Sequence, residues 1–529
     1  MSNAYESAAA LRPHHLEPTD LRQLVRSFSL VPAPGTSQED VDGVMVTGVS
    51  VDSGDVAPGE LFVGLPGFKV HGASFAAQAV GAGAVAVVTD SQGAHLAASL
   101  PGTPVLVHED PRALVGPLSQ EVYHHPAEHL TATAVTGTNG KTTTSYFLDA
   151  MLAAHLGGCM VAGTVELRVG GTSVESPRTT VEAPVLARMM ALAVEEGVGA
   201  ASLEASSHAI VLHRLDGVIF DVVGFTNLQR DHLDFHKTME GYLEAKSRLF
   251  TPDHARSAVV CVDDRWGASL ARTASAAGLE VERVRAYPGD AECDWWVSDA
   301  AVSLAEAATT FTLHGPGAQE ISASCPLPGL VNVQNAALAL VMAVRAGVPA
   351  PTAVAALAGA HNIPGRMQRV SQRDGTRGLC IVDFAHTPDA MELALEAVRP
   401  ITPGRLIVVF GSDGDRDQGK RPMLGEVAAR LADVLVVTDE NPRSEDPQTI
   451  RDAVLAGVRR VRPDLADVEE VTTWRGDAVR RGVELCGPDD TVIVTGKGHE
   501  PFLEVADQFI RYNDAPVMRE AVEAKWRQA

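Results

Sequence analysis

The sequence of 529 residues has no excess of positive charge: 43 Lys and Arg against 67 Asp and Glu leave a formal net charge of −24. That balance argues against a protein that holds nucleic acid or an anionic membrane on a basic surface. A phosphate ligand would need Arg and Lys concentrated locally. Cysteine is sparse, and Cys159, Cys261, Cys293, Cys325, Cys380 and Cys486 form no C-x-x-C pair. The spacing excludes a disulfide framework or zinc site and reads as buried thiols of a reducing compartment. No stretch reaches about 18 uninterrupted apolar residues, so no transmembrane helix is expected. The N-terminal stretch, with Glu6, His14, His15 and Glu17, lacks the basic-then-apolar pattern of an export signal. Internal repeats and low-complexity tracts are also missing. The expectation is a soluble, cytoplasmic, monomeric protein of roughly two to four domains, each able to bury a proper core.

What is present is organised around Thr131–Thr144, TATAVTGTNGKTTT. A β-rich run over Thr131–Thr136 leads into a glycine turn, and a helix-compatible segment runs from about Thr142 to Leu156. Gly137 and Gly140 let the backbone turn tightly, so that N–H groups and a helix N-terminus can face an anion. Lys141 would reach the β- and γ-phosphates of a nucleotide, and the Thr142 hydroxyl would sit near Mg²⁺. Val135 stands where the usual P-loop has a glycine, so the loop is a shortened variant. A plain glycine turn is the competing reading; Gly-Lys-Thr-Thr behind a strand outweighs it.

The remainder of the chain is consistently α/β. Residues 1–40 read as a leader with Pro13, Pro18, Pro32 and Pro34 and one short helix near Asp20–Ser27. Residues 41–128 alternate short strands (VMVTGVSVDSG, LFVGL, AVAVVTD, PVLVHED) with a helix over Ala73–Gly83, forming a small N-terminal domain. Residues 129–363 form a central domain in which apolar runs alternate with helices, implying a mostly parallel sheet. Residues 364–529 carry GLCIVDFA, RLIVVFG, VLVVTD and TVIVTG separated by helical segments, a second, doubly wound sheet. Polar clusters follow the strands, where open α/β sheets collect their ligands.

Glu204 and His232 lie just beyond apolar strands of the central domain, and a carboxylate with an imidazole can hold Mg²⁺ beside nucleotide phosphates. Either residue alone is as often an ordinary polar loop contact. Lys246, in the helical run Glu240–Phe250, would by itself most often be a solvated lysine. Arg366, Arg416 and Arg443 at strand ends of the last domain can fork onto carboxylates or phosphates. Glu440 and Glu500 add negative charge at the same edge, which fits a ligand with both carboxylate and ammonium groups. These residues reach an ATP- and Mg²⁺-dependent enzyme with a second anionic or zwitterionic ligand. A GTPase switch would need an Asn-Lys-x-Asp run, and no Asn-Lys pair occurs. A P-loop kinase stays open, because it shares its first half-reaction with an acyl-phosphate ligase.

Taken together, Thr136–Thr144, Glu204–His208, Asn227–His232 with Lys246, Asn332-Val-Gln-Asn335, Asp383-Phe-Ala-His386 and Asp415-Arg-Asp417 resemble the Mur ligase superfamily, from about Val44 to Asp514. Within it, the motifs are most similar to the members that add a diamino acid to UDP-N-acetylmuramoyl-L-alanyl-D-glutamate. The resemblance implies that Gly137, Thr138, Asn139, Gly140, Lys141, Thr142 and Thr143 bind ATP, with Asn332 and Asn335 near the adenine. It implies that Thr142, Glu204, His232 and a carbamylated Lys246 hold Mg²⁺. Val51 and Ser53 match nucleotide-sugar positions on the uracil side. Thr179, Thr180, Ser206 and Arg214 match muramoyl-dipeptide positions. Arg416, Glu440, Asn441, Pro442, Arg443, Gly496 and Glu500 match the incoming amino acid's. An arginine at 443 is associated with meso-diaminopimelate, whose distal carboxylate it would grip; L-lysine and LL-diaminopimelate are the alternatives. The D-Ala-D-Ala-adding relative and folylpolyglutamate synthetase lack the pairing of Asn-Pro-Arg with Gly-Lys-Gly-His-Glu. The chain departs from the family pattern at Glu440 (for Asp), Asp413 (for Gly), Leu212 (for Gln), Gly54 (for Arg), His71 (for Asp) and Phe384 (for Tyr).

Overall fold

The computed structural model describes residues 10–98, 100–303, 307–360, 363–506 and 508–527. Residues 1–9 of the expected leader lie outside that set. The chain forms two compact units: residues up to Trp296 together with Ala336–Ala356, and Val297–Asn335 together with the segment from Leu357 onward.

Besides a short pairing of Thr19–Asp20 with Met45–Val46, the first unit holds two larger sheets among the described residues. The smaller has five strands in the order Val31–Pro32, Val105–Val107, Ala86–Thr89, Glu60–Gly64, Gly48–Ser50. All its pairings are parallel except the first. The expected helix over Ala73–Gly83 is split into a 3-10 turn, Gly72–Phe75, and a helix, Ala76–Gly81. The helix near Asp20 runs over Leu21–Ser27, with the Asp20 carboxylate accepting from Arg22 N at its N-cap.

In the larger sheet, parallel strands Cys159–Ala162, Ala200–Glu204, Thr131–Thr136, Phe220–Phe225, Ala255–Cys261 and Glu280–Arg285 lie side by side. A hairpin, Glu166–Val169 with Thr172–Glu175, extends one edge antiparallel. The central strands are buried on both faces, which is why they read as unbroken apolar runs. Their core includes Ala134, Leu203, Phe220, Phe225 and Phe250. The two sheets are joined through charge: Arg188, 1 % exposed, donates from Nη1 to Asp55 Oδ2 at 2.7 Å. Asp55 also pairs with Arg12.

The second unit holds a hairpin, Ala308–Gly315 with Gln319–Cys325, and a six-stranded sheet. That sheet runs Gln368–Ser371, Leu379–Val382, Thr491–Val494, Leu406–Phe410, Val434–Val437, Val468–Glu470, parallel apart from its first strand. Among the described residues no helix is long and apolar enough to cross a membrane.

Candidate active site

In the first unit the glycine turn lies between the strand Thr131–Thr136 and a helix, Lys141–Leu156. Gly137 and Gly140 have φ of 146° and 91°, conformations that a side chain would strain. Gly140 is the N-cap and supplies no side-chain bond, so the first N–H groups of the helix keep their capacity for an anion. The turn is fixed from the next strand over. Thr138 N donates to Asn227 O at 2.9 Å, Asn139 N to Asn227 Oδ1 at 3.1 Å, and Thr226 Oγ1 to Asn139 O at 2.6 Å. Gln229 completes the brace: its N–H donates to Thr138 Oγ1, and its Oε1 accepts from Asn139 Nδ2.

Two amines converge on one carbonyl. Lys141 Nζ donates to Gly137 O at 3.0 Å and Thr138 O at 2.9 Å, and Lys246 Nζ donates to the same Gly137 O at 2.9 Å. Lys246 is only 1 % exposed and lies over the Tyr242 ring, 4.5 Å from its centroid. The solvated-lysine reading of that position is therefore wrong. Burial, and then the charge of Lys141, hold its pKa well below the usual lysine value, favouring the neutral amine.

Glu204 ends its strand 1 % exposed. Its Oε2 accepts from Thr142 Oγ1 and Thr164 Oγ1, both at 2.9 Å, and its Oε1 from Thr164 N at 2.7 Å. His232 sits at φ 52° beyond the next strand, where partial burial favours the neutral imidazole against the pull of Asp231. Beside Glu204, Thr180 Oγ1 donates to Glu204 O at 2.7 Å and accepts from Ser206 N at 3.0 Å. Arg214 donates to Thr180 O at 3.2 Å and pairs with Glu182, while Thr179 meets Thr164. Thr179, Thr180, Ser206 and Arg214 thus lie together next to Glu204 and Thr142. Val51 and Ser53 line a cavity of about 450 Å³ with Asp52, Phe62, Arg112 and the same Glu182.

In the second unit, Asn332 and Asn335 lie on the helix Leu330–Arg345. Asn332 donates to Pro328 O, and Asn335 Oδ1 is buried with no hydrogen-bond partner among the described residues. The strand ends of the six-stranded sheet bring Glu440, Asn441, Arg443, Gly496 and Glu500 together. Lys497, fully buried, donates to Asn441 Oδ1, Glu500 Oε2 and Phe502 O. Arg443, at φ 54°, donates from Nε to Glu504 Oε2 and from Nη1 to Gly414 O, both at 2.9 Å. Glu440 is 3 % exposed, and burial followed by the charge of Asp413 pushes its carboxyl up to about 8. Arg416 is exposed on the loop after Phe410.

Three family models match successive parts of the chain. The Mur ligase family catalytic domain matches residues 45–121, the Mur ligase middle domain 135–343, and the Mur ligase glutamate ligase domain 365–498. The UDP-N-acetylmuramoyl-L-alanyl-D-glutamate--2,6-diaminopimelate ligase of Streptomyces avermitilis is 41 % identical over 97 % of this chain and 98 % of its own length. The chain belongs to the Mur ligase family. It is an ATP-dependent ligase of peptidoglycan-precursor synthesis. The UDP-N-acetylmuramyl-tripeptide synthetase of Leifsonia xyli subsp. xyli is 44 % identical over 98 % of this chain and 99 % of its own. A solved UDP-N-acetylmuramoyl-L-alanyl-D-glutamate--2,6-diaminopimelate ligase superposes with a TM-score of 0.65 at 31 % identity, covering 91 % of this chain and 95 % of that one. A MurF ligase of Thermotoga maritima solved in complex with ADP, 17 % identical, shares the fold with a TM-score of 0.62 over 91 % of this chain and 98 % of its own.

Several residues of this Mur ligase site carry structure that sequence reasoning passed over. Thr164 and Thr226 hold the carboxylate and the loop, and each follows a strand end, the one signal that could have marked them; Gln229, inside the Asn227–His232 run, was given no role of its own. Lys497, inside the Gly-Lys-Gly-His-Glu run, and Glu504 each reach one partner distant in sequence, Asn441 and Arg443, which no local pattern marks.

Proposed function

We propose that this ligase couples ATP cleavage to addition of meso-diaminopimelate to the D-Glu γ-carboxylate of UDP-N-acetylmuramoyl-L-alanyl-D-glutamate. ATP phosphorylates the carboxylate to an acyl phosphate, and the amine of the diamino acid attacks it to form the amide. Residues 41–128 are assigned to the nucleotide sugar, 129–363 to ATP and 364–529 to the amino acid. The single observation that carries the reading is the convergence of Lys141, Lys246 and the Thr142–Glu204 pair around the turn at Gly137.

The donor set fits Mg²⁺. No group of three or more His, Cys, Asp or Glu that could hold a metal occurs among the described residues. Mg²⁺ commonly takes only one or two carboxylates and completes its shell with water and phosphate oxygens. Thr142, Glu204 and a neutral His232 would hold it. Lys246 would add an anionic oxygen as its carbamate, because a neutral buried amine can capture CO₂ where an ammonium cannot. The ion would supply charge neutralisation on the transferring phosphoryl oxygens. Lys141 and the N–H groups opening the helix Lys141–Leu156 stabilise developing negative charge. Gly137, Thr138, Asn139, Gly140 and Thr143 shape the phosphate cradle, and Asn332 and Asn335 are assigned to the adenine. Val51 and Ser53 are assigned to the uracil side, and Thr179, Thr180, Ser206 and Arg214 to the muramoyl dipeptide. Arg416, Glu440, Asn441, Pro442, Arg443, Gly496 and Glu500 are assigned to the diamino acid.

The deciding assay is phosphate release from ATP with Mg²⁺, UDP-N-acetylmuramoyl-L-alanyl-D-glutamate and meso-diaminopimelate, with mass spectrometry of the product. Formation of the tripeptide nucleotide supports the assignment. Phosphate release with no tripeptide nucleotide formed would refute the assignment of meso-diaminopimelate as the acceptor.

A further inference from the structure

The cavity assigned to the uracil side has two walls, one from each of the larger sheets of the first unit. Val51, Ser53 and Asp55 follow the strand Gly48–Ser50 of the smaller sheet. Pro184 and Val185 open the helix Ala183–Glu195, which packs into the core of the larger sheet. Asp55 is where the walls are tied. Its side chain is buried, with Oδ2 accepting from Arg188 Nη1 at 2.7 Å and Oδ1 from Arg12 Nη2 at 3.1 Å. Arg188 lies one turn along the helix from Pro184 and Val185, so its bond to Asp55 spans from one wall to the other.

Arg12, from the leader, makes the second tie. Leu11 beside it is fully buried in the core of the larger sheet, while the Arg12 guanidinium reaches into the smaller one. Its Nη1 donates to Glu60 Oε1, and its Nη2 donates to Asp55 O as well as to Oδ1. Glu60 is buried and turns its other oxygen to Ala57 N at 2.8 Å. A side chain at Gly48 would collide with Glu60 Oε1 and the Tyr123 hydroxyl, so the strand leading to the cavity is bare where that carboxylate lies. Two buried carboxylates thus meet two guanidiniums, and losing either cation leaves a buried carboxylate short of counter-charge.

A shift of Asp55 cannot stay local. Asp55 N donates to Asp52 O at 3.0 Å, Ser50 Oγ to the same oxygen at 2.9 Å, and Gly54 N to Asp52 Oδ1 at 2.9 Å. These bonds make Val51–Asp55 one short turn, so Ser53 moves with Asp55. We propose that Arg12 and Arg188 are positioning residues for the nucleotide sugar. By holding Asp55 from two sides, they fix the turn Val51–Asp55 against the wall at Pro184 and Val185, at the separation the uridine end of the substrate requires. Neither arginine is among the residues lining the cavity, so both act through Asp55. Small displacements of such a support are felt in binding because the contacts to a ligand are short-ranged. The inference rests on the assignment of Val51 and Ser53 to the nucleotide sugar.

The test uses the full chain as wild type, Arg12→Ala and Arg12→Lys. Calorimetry gives the Kd for UDP-N-acetylmuramoyl-L-alanyl-D-glutamate, and the ligation assay gives kcat and the KM of each substrate. Arg12→Ala is expected to raise the Kd and KM for the nucleotide sugar at least about tenfold, the order expected when charge-assisted hydrogen bonds are lost. At saturation kcat, and the KM values for ATP and diaminopimelate, should stay within about twofold of wild type. A merely structural role would lower the fraction of active protein without singling out one KM. An unmoved nucleotide-sugar Kd, or equal rises in all three KM values, therefore overturns the proposal. Arg12→Lys keeps a counter-charge for the buried carboxylates and serves if the alanine variant folds poorly. One amine in place of the fork should still raise the Kd about threefold or more, and an unmoved value refutes the role of Arg12. A wild type that neither binds nor ligates the nucleotide sugar overturns the assigned activity itself, whereas a wild type that does both with unmoved variants overturns this inference alone.

Discussion

Substituting Asp514 by Asn tests whether a buried ion pair holds the acceptor loops in register. Arg475 and Asp514 both have fully buried side chains and form a bidentate pair, Nε to Oδ1 at 2.9 Å and Nη2 to Oδ2 at 2.8 Å. Tyr512 donates a third bond to Oδ1 at 2.8 Å. The guanidinium also donates to Asp439 O and Thr495 O, the carbonyls immediately before Glu440 and Gly496, so one side chain ties both loops together. Burial opposes the charge on Arg475, and Asp514 more than offsets it. Asn preserves shape, turns an N–H₂ toward a donor and leaves the guanidinium without a counter-charge. Breaking a buried pair in this way costs about 3–5 kcal/mol. For a folding unit of about two hundred residues, each kcal/mol moves Tm by about 2–4 °C, which predicts a fall of about 6–20 °C. Calorimetry on the full chain reads the transition. Faster hydrogen exchange at Thr491–Val494 identifies it as that of the second unit, and the KM for the acceptor should rise while that for ATP stays near wild type. A Tm within about 2 °C of wild type would refute the reasoning.

Lys246→Ala is expected to abolish ligation while ADP still binds; turnover like that of wild type would remove Lys246 from the site. Thr142→Val removes the hydroxyl that donates to Glu204 and should lower kcat by about 10²-fold or more, with melting little changed. If kcat stays within about threefold of wild type, the threonine serves only to pack. Glu440→Gln should alter the pH dependence of stability. Because burial raises the Glu440 carboxyl from the usual 4.5 to about 8, its stabilising proton is fully held below about 4.5 and is lost as pH rises through about 8. Across that window wild type should lose up to about 1.4 kcal/mol per pH unit relative to the glutamine variant, which stays neutral. A difference between the two that is constant from pH 5 to pH 8 would show that Glu440 ionises normally.

Much of the fold was written locally. Buried parallel strands such as Thr131–Thr136, Ala200–Glu204 and Leu406–Phe410 announce themselves as short apolar runs, because both faces meet helices. Helix ends were legible to within a residue or two: the phosphate-loop helix starts at Lys141, one residue before the expectation, and the helix expected near Asp20–Ser27 covers Leu21–Ser27. The Ala73–Gly83 segment was less so. Nothing in its composition announces the 3-10 turn over Gly72–Phe75, where the His71 imidazole caps the chain.

The sequence by itself determined the phosphate loop, the succession of α/β sheets and the family, because each depends on neighbours along the chain: glycines at fixed offsets, apolar period and strand-end polar runs. Only the tertiary structure decided what Lys246, Arg443 and Glu440 are. A helix lysine becomes a buried, neutral-leaning amine because Gly137, Thr136 and Tyr242 close over it. An arginine expected to grip a ligand is already paired because Glu504, sixty-one residues along the chain, reaches it. A glutamate one methylene longer than its usual counterpart is left with a bare oxygen because Gly496 offers no donor side chain beside it. Burial and charge compensation are sums over groups distant in sequence, and folding alone brings those groups together.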